Sequence, residues 1–544
     1  MSPPHDPASA ALGRRWSLAI LALLIVAVSA AHVRWLQRDA TIFPVGDSYA
    51  YLSHLLQFLD RTATQGVTDF WQSLGQLSHG GRPPLYQIST IPNLLILGRS
   101  EDSATGVNVF FSAILMISAY HGAALISGRK AGLLAALLVA AYPPIVQLTR
   151  MYLPRSALPA TCALSLWMLI WLLRSRSVAA ALAFSASLAV GVLVHPAFIF
   201  CWAAPAIGFG FYILLFQSEP RAPSSLRNSP RWMMQKLRSR LWWRGLLPGA
   251  LMTIVAALGW YATHGLALLA TQQRLVDEQL DEFRGFETLA IDFPKVESPI
   301  LWFVGTAPAV MSNVLAVLAF AGLIYCLLRP RTAVSIPALC LLAAAALYPV
   351  LFPVLDWLHF APALPFVAVL TATWIFRLRR VLARRLLSAL AALAAALCFV
   401  IATWGNQGGL TRAVAGALGA PLESVACRRA RPVALCPSAA RPAESLRARG
   451  DLRDRSATSR EILKLILEAP QCQAAGCEVM LVRKSGGLIA KQLLFELGSA
   501  WPREKLTIHD DGSHLWGQVY PLHYLLGADF LIYSDRKGPD LYQQ

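Results

Sequence analysis

A lone carboxylate stands in a chain-breaking stretch, Phe43-Pro44-Val45-Gly46-Asp47-Ser48-Tyr49-Ala50-Tyr51, just outside the first apolar run. Pro44 and Gly46 interrupt regular structure before it. Tyr51, Leu52, Leu55, Leu56 and Leu59 then recur at helical spacing. That pattern predicts a helix starting at Asp47 or Ser48, running to about Leu59 and lying along a membrane surface. At its head Asp47 can cap free N–H groups, which stabilises a helix by about 1 kcal/mol. It can also serve as a general base, taking the proton from a hydroxyl as that oxygen attacks. One residue can do both.

Cationic and imidazole groups follow at intervals. Ser78-His79-Gly80-Gly81-Arg82-Pro83-Pro84-Leu85-Tyr86 is a rigid turn whose His79 and Arg82 suit phosphate oxygens, or simply face water as the chain returns to the membrane. Arg150-Met151-Tyr152-Leu153-Pro154-Arg155 places two arginines and Tyr152 in a short connection, for a lipid phosphate with a substrate role or for headgroups without one. His195-Pro196 makes a tight turn between apolar runs, and His359 follows Asp356 near the start of a late one; each is a functional group or a structural hydrogen-bonder. The acids Asp277, Glu278, Asp281 and Glu282 read as a solvated helix face. No Gly-rich nucleotide loop occurs. A metal site wants several oxygen ligands close together, and Asp39, Asp47 and Asp60 do not make one, so no cofactor is expected and a divalent metal is unsupported.

The elements that must position these groups are apolar helices. The chain is 56% hydrophobic and 14% charged, against about 25% charged in soluble domains. A first run spans 16–33, behind Arg14 and Arg15 and a polar start expected to lack order. Ser29-Ala30-Ala31 would suit signal-peptide cleavage, but a retained span agrees better with the membrane domain that follows. After a long polar loop over 34–103, ten further runs lie near 104–127, 131–147, 156–173, 178–194, 196–216, 245–270, 300–328, 334–352, 355–376 and 386–404. Most are long enough to cross about 30 Å of hydrocarbon. The third ends in Tyr142-Pro143-Pro144, which predicts a break near the surface.

The net charge of +18 could suggest nucleic acid, but its carriers sit in short connections between apolar runs. In an eleven-span chain Arg14, Arg15, Arg129, Lys130, Arg174, Arg176, the Arg221–Arg244 segment, Arg329, Arg331 and the Arg377–Arg385 segment fall on one side. The positive-inside rule makes that side cytoplasmic. Asp47, His79, Arg82, Arg150, Arg155 and the tail from 405 then face outward.

The tail reads as a linker over 405–455 and a small α/β domain over 456–544. Arg460–Leu467 and Ile489–Leu497 have helical patterns; Val479–Val482 and Phe530–Tyr533 read as strands. Cys162, Cys201, Cys326, Cys340 and Cys398 lie in apolar runs and read as core residues. Cys427, Cys436, Cys472 and Cys477 lie in the tail, where disulfides suit an extracytoplasmic domain but three pairings remain open.

An acid in the first outer loop at the head of a surface helix, the His79…Pro83-Pro84-Leu85 turn, Tyr142-Pro143-Pro144 and His195-Pro196 together resemble the GT-C polytopic glycosyltransferases, nearest the family 39-like branch of protein O-mannosyltransferases and aminoarabinose transferases. The likeness covers roughly 16–376. It implies a GT-C-like transmembrane domain over 1–404 with about eleven helices, and an inverting transfer from a polyprenyl-phosphate sugar to a protein, lipid or glycan. Asp47 would be the base; the outer arginines and the His-Pro turn would hold the donor phosphate. The setting implied is a bacterial inner membrane, with the amino terminus cytoplasmic and the tail periplasmic. Many members pair Asp with Glu in the first loop, where this chain has Gly46-Asp47-Ser48. Many place an acid after the third span and an arginine in the late one, where this chain has Arg155 and His359. A glycolipid transporter or flippase, or a non-catalytic scaffold on a degenerate GT-C fold, are the alternative functions.

Overall fold

A computed structural model of the chain describes residues 7–38, 47–65, 77, 82–199, 202, 242–266, 311–328, 336–342, 361–404, 477–482, 506–510 and 530–533. These fall in two compact units. The first comprises 1–36, 80–89 and 106–444; the second comprises 37–79, 90–105 and 445–544.

The first unit is a helical bundle. Helix α1, Pro7–Arg38, carries the first apolar run through Ser29-Ala30-Ala31 without a break, and its helix starts inside the segment expected to lack order. Proline suits that start, because its missing N–H is unsatisfied there in any case. Asp47–Gln65 (α2) and the short Glu101–Thr105 (α4) belong to the second unit, and Leu85–Leu97 (α3) begins in the first and ends in the second. Next come α5, Val107–Ser127; α6, Arg129–Ala141; α7, Pro143–Leu148; a 3-10 turn, Pro154–Ser156; α8, Leu158–Ser175; and α9, Val178–Val194. After these lie α10, Arg244–Leu266; α11, Asn313–Leu328; α12, Leu364–Arg377; and α13, Val381–Trp404. Five helical stretches among the described residues are long and apolar enough to cross a membrane: Arg15–Arg34, Asp102–Ser127, Pro154–Ser175, Arg244–Leu266 and Val381–Val400. Shorter apolar helices add Leu85–Leu97, Val178–Val194, Asn313–Cys326 and Ala361–Arg377. The expected span over 196–216 lies almost wholly outside the described residues, as do parts of those over 300–328 and 334–352.

The expected break at Tyr142 is present. Tyr142 takes an extended conformation with ψ of 126°, ending α6, and α7 restarts on Pro143. The loop over 34–103 is less polar than expected, since it contains α2 and the apolar α3, where Leu95, Ile96 and Leu97 are exposed. A thirteen-residue apolar run bounded by Pro83-Pro84 and Gly98 is too short to read as a crossing, and so escapes a span count.

Small residues set the packing of the bundle. A Cβ at Gly191 in α9 would overlap the ring of Phe198, and one at Gly322 in α11 would overlap Trp374 of α12. Close approach at small residues holds membrane helices together where water supplies no hydrophobic drive. Cys162, Cys326, Cys340 and Cys398 are buried, as expected of core thiols.

Contacts also fix which helix ends lie together. Arg377 at the end of α12 donates from Nη2 to the carbonyl of Ile126 (2.6 Å) and from Nε to Ser127 Oγ (3.3 Å), at the end of α5. At the opposite end of α5, Asn108 reaches the carbonyl of Met151 (2.9 Å). Helix α8 runs alongside α5, and its 18 residues span about 27 Å. Arg155 at its head and Arg174 near its foot therefore lie at opposite ends of the bundle.

In the second unit α2 begins at Asp47 and runs to Gln65, six residues beyond the expected end. Tyr51, Leu52, Leu55, Leu56 and Phe58 are its buried face. Asp60 in α2 pairs with Arg99. Both are about a third exposed, so the pair adds little stability. The tail contributes three strands, β1 (Cys477–Val482), β2 (Leu506–Asp510) and β3 (Phe530–Tyr533), in a parallel sheet of order β2-β1-β3. Val479 pairs with Ile508 on one side and Phe530 on the other. The two strands expected from sequence are β1 and β3. The expected tail helices, Cys427, Cys436 and Cys472 lie outside the described residues.

Candidate active site

The site builds outward from the segment 148–156, a connection with little regular structure whose carbonyls need partners at the membrane boundary. Asn108, in the first turn of α5, supplies them. Its Nδ2 faces the carbonyls of Thr149 (3.2 Å) and Met151 (2.9 Å), and more distantly Leu148. Its Oδ1 accepts from the Tyr86 hydroxyl at 3.0 Å. Ser156 donates its hydroxyl to the carbonyls of Leu148 (2.7 Å) and Met151 (2.9 Å). Asn108, Tyr86, Tyr152 and Ser156 are all buried.

Aromatic packing closes the clamp. The Tyr86 ring lies 5.2 Å from that of Tyr152 and 5.8 Å from that of Phe111. Burial raises the Tyr86 hydroxyl well above its ordinary pKa, with a smaller push from Tyr152, so it stays protonated and works as a donor. The clamp pins the backbone on both sides of Arg150 and just after Arg155, whose side chains remain partly exposed. A fixed guanidinium fork loses less entropy on meeting a phosphate than a free one does.

The sequence candidates distribute as follows. Arg82, buried, precedes α3 and lies four residues before Tyr86. Tyr152 is inside the clamp, and Arg150 and Arg155 flank it. His195 is buried at the foot of α9, where its Nδ1 accepts from the Ala197 N–H at 3.1 Å. That bond, with the Phe198 N–H donating to the His195 carbonyl at 3.0 Å, gives it a turn-forming role. Asp47 is the first residue of α2, in the second unit. His79, His359 and Asp356 lie outside the described residues.

Sequence reasoning missed Asn108 and His32. Asn108 follows Gly106-Val107 at the start of an apolar run, where one amide among hydrophobic residues was the available signal. His32 ends the apolar part of the first run and is buried. No group of three or more His, Cys, Asp or Glu side chains fit to hold a metal occurs among the described residues.

Residues 82–228 match the family described as dolichyl-phosphate-mannose-protein mannosyltransferase. The fold is similar to that of ArnT from Cupriavidus metallidurans bound to undecaprenyl phosphate, with a TM-score of 0.53 at 16% identity over 90% of this chain and 86% of that one. The apo form of the same protein gives 0.51 at 14% identity, over 90% and 89%. A weaker likeness, with a TM-score of 0.44 at 12% identity, links 91% of the chain to 64% of the oligosaccharyltransferase AglB from Archaeoglobus fulgidus. Comparison of the sequence with curated proteins finds no match. The chain thus shares the fold of these ArnT structures, and its segment 82–228 resembles the mannosyltransferase family in sequence.

Proposed function

We propose that the protein is an inverting glycosyltransferase of the bacterial inner membrane, moving a sugar from a polyprenyl-phosphate donor to a hydroxyl on the periplasmic face. The observation that carries this reading is the clamp on residues 148–156. It braces Arg150 and Arg155 at the end of the bundle opposite the Arg377–Ser127 contact. By the positive-inside rule the end holding Arg129, Lys130, Arg174, Arg176 and Arg377 is cytoplasmic, so the braced arginines face out.

The acceptor oxygen attacks the anomeric carbon as the bond to the phosphate oxygen breaks. The polyprenyl phosphate leaves with the electron pair and gains negative charge, which Arg150, Arg155 and Arg82 offset as the charge develops. Asp47 takes the hydroxyl proton. Tyr152 shapes the wall of the phosphate site, and His79, His195 and His359 are further candidates for its rim. The sheet of β1, β2 and β3 belongs to a periplasmic α/β domain that meets the acceptor.

The test is genetic and chemical. Envelope glycans and glycoproteins of cells lacking the protein are compared by mass spectrometry with those of cells carrying wild type or Asp47→Asn. Wild type restores a sugar modification; Asp47→Asn, present at normal abundance in the membrane, lowers it by about 100-fold or more. Near-normal modification with Asp47→Asn overturns the assignment of the base.

A further inference from the structure

His32 is a buried imidazole with a problem. It lies on α1 and is 8% exposed, and its Nε2 has no hydrogen-bond partner. A buried polar atom left unpaired is unfavourable, so a group that satisfies it is favoured there.

The surroundings indicate which group. His32 lines a cavity of about 20 Å³ together with Arg150, Thr149 and Ser112, against a wall of Val28, Leu115, Ile145 and Phe399. About 10–15 Å³ holds one water-sized atom, so the space takes one oxygen, with the rest of its molecule at the mouth. An arginine only donates, and a neutral imidazole can donate from Nε2. An oxygen between them must accept, and an anionic oxygen accepts best. The apolar wall suits a hydrocarbon attached to that anion. Helix α1 is largely uncovered, and Val33, next to His32 in sequence, is 41% exposed.

We propose that His32 and Arg150 form a lipid-phosphate pocket behind α1, in which one phosphate oxygen accepts from His32 Nε2–H and from the Arg150 guanidinium. Two sources share this chemistry: a polyprenyl phosphate and an ordinary anionic phospholipid. Where the source is the sugar donor's carrier, the inference rests on the glycosyltransferase reading above, and it adds the first helix to the donor site.

Binding, which needs no turnover, tests it. Purified full-length protein in detergent is titrated with undecaprenyl phosphate and separately with phosphatidylglycerol, followed by native mass spectrometry. His32→Leu should weaken binding by about tenfold or more, and His32→Gln, which keeps an N–H donor at similar reach, should restore most of it. His32→Phe replaces the leucine variant if that one fails to fold. Loss confined to undecaprenyl phosphate assigns the pocket to the carrier lipid; equal loss for both lipids assigns it to phospholipid. Unchanged binding in His32→Leu or His32→Phe overturns the pocket and leaves the cavity to water. A glutamine variant as weak as leucine overturns the donor role. Neither result bears on Asp47→Asn, whose readout is sugar transfer, so the two readings fail separately.

Discussion

Asn108 ties three segments together at this end of the bundle. One amide group serves the carbonyls of Thr149 and Met151 and accepts from Tyr86. Replacement by alanine removes the acceptor of the Tyr86 hydroxyl and the side-chain donor to the Thr149 carbonyl, while the Met151 carbonyl keeps Ser156; a buried polar group left unpaired costs about 1–3 kcal/mol. Asn108→Ala should therefore lower the thermal unfolding midpoint in detergent. It should also cut sugar transfer, because the segment carrying Arg150 loosens. Asn108→Asp keeps the acceptor for Tyr86 and loses the donors, so its loss of transfer should approach that of alanine. An alanine variant with wild-type midpoint and turnover would show that the clamp is incidental. Arginine types and spacing in 150–155 were legible in the sequence; what braces them was not, because Asn108 and Met151 are 43 residues apart.

At the scale of elements, helix existence followed from apolar runs and boundaries from proline and glycine. The 178–194 run became α9 with the same limits, and Ser177 caps it by accepting from the Ala180 N–H. The Tyr142-Pro143 break appeared as expected because a proline cannot continue the hydrogen-bond ladder behind it. Strand β2 was missed: Leu506-Thr507-Ile508-His509-Asp510 is short and polar, and becomes a strand by pairing with β1. Helix contacts supply a paired prediction. The Trp374 indole covers Gly322 and is held by its Nε1 donating to the Leu318 carbonyl at 3.0 Å, so it cannot step aside. Gly322→Ala should destabilise by about 1–3 kcal/mol. Gly259 in α10 has nothing within 4 Å of a new Cβ. Gly259→Ala should be neutral or stabilise by up to about 1 kcal/mol through helix propensity. Thermal unfolding of both variants in one detergent checks the pair; equal losses would mean that the α11–α12 approach is not close.

For the whole molecule the consequence is sidedness. The Arg377–Ser127 contact and the Asn108–Met151 contact mark opposite ends of α5, and each gathers connections that the charge pattern had assigned to one side. Alkaline phosphatase fused after Leu153 should be active in cells, and fused after Arg176 inactive. Activity in both fusions, or in the second alone, would reverse or break the topology.

The sequence by itself determined that this chain lives in a bilayer, where its apolar runs begin and break, and which residue types stand at each connection. Those are local properties, written in windows of about twenty residues or fewer. Tertiary structure alone decided that Asn108 braces the arginine segment, that His32 shares a cavity with Arg150, and that a short polar segment pairs beside β1. Each joins residues dozens to more than a hundred positions apart, through hydrogen bonds and close packing that no run of neighbours encodes.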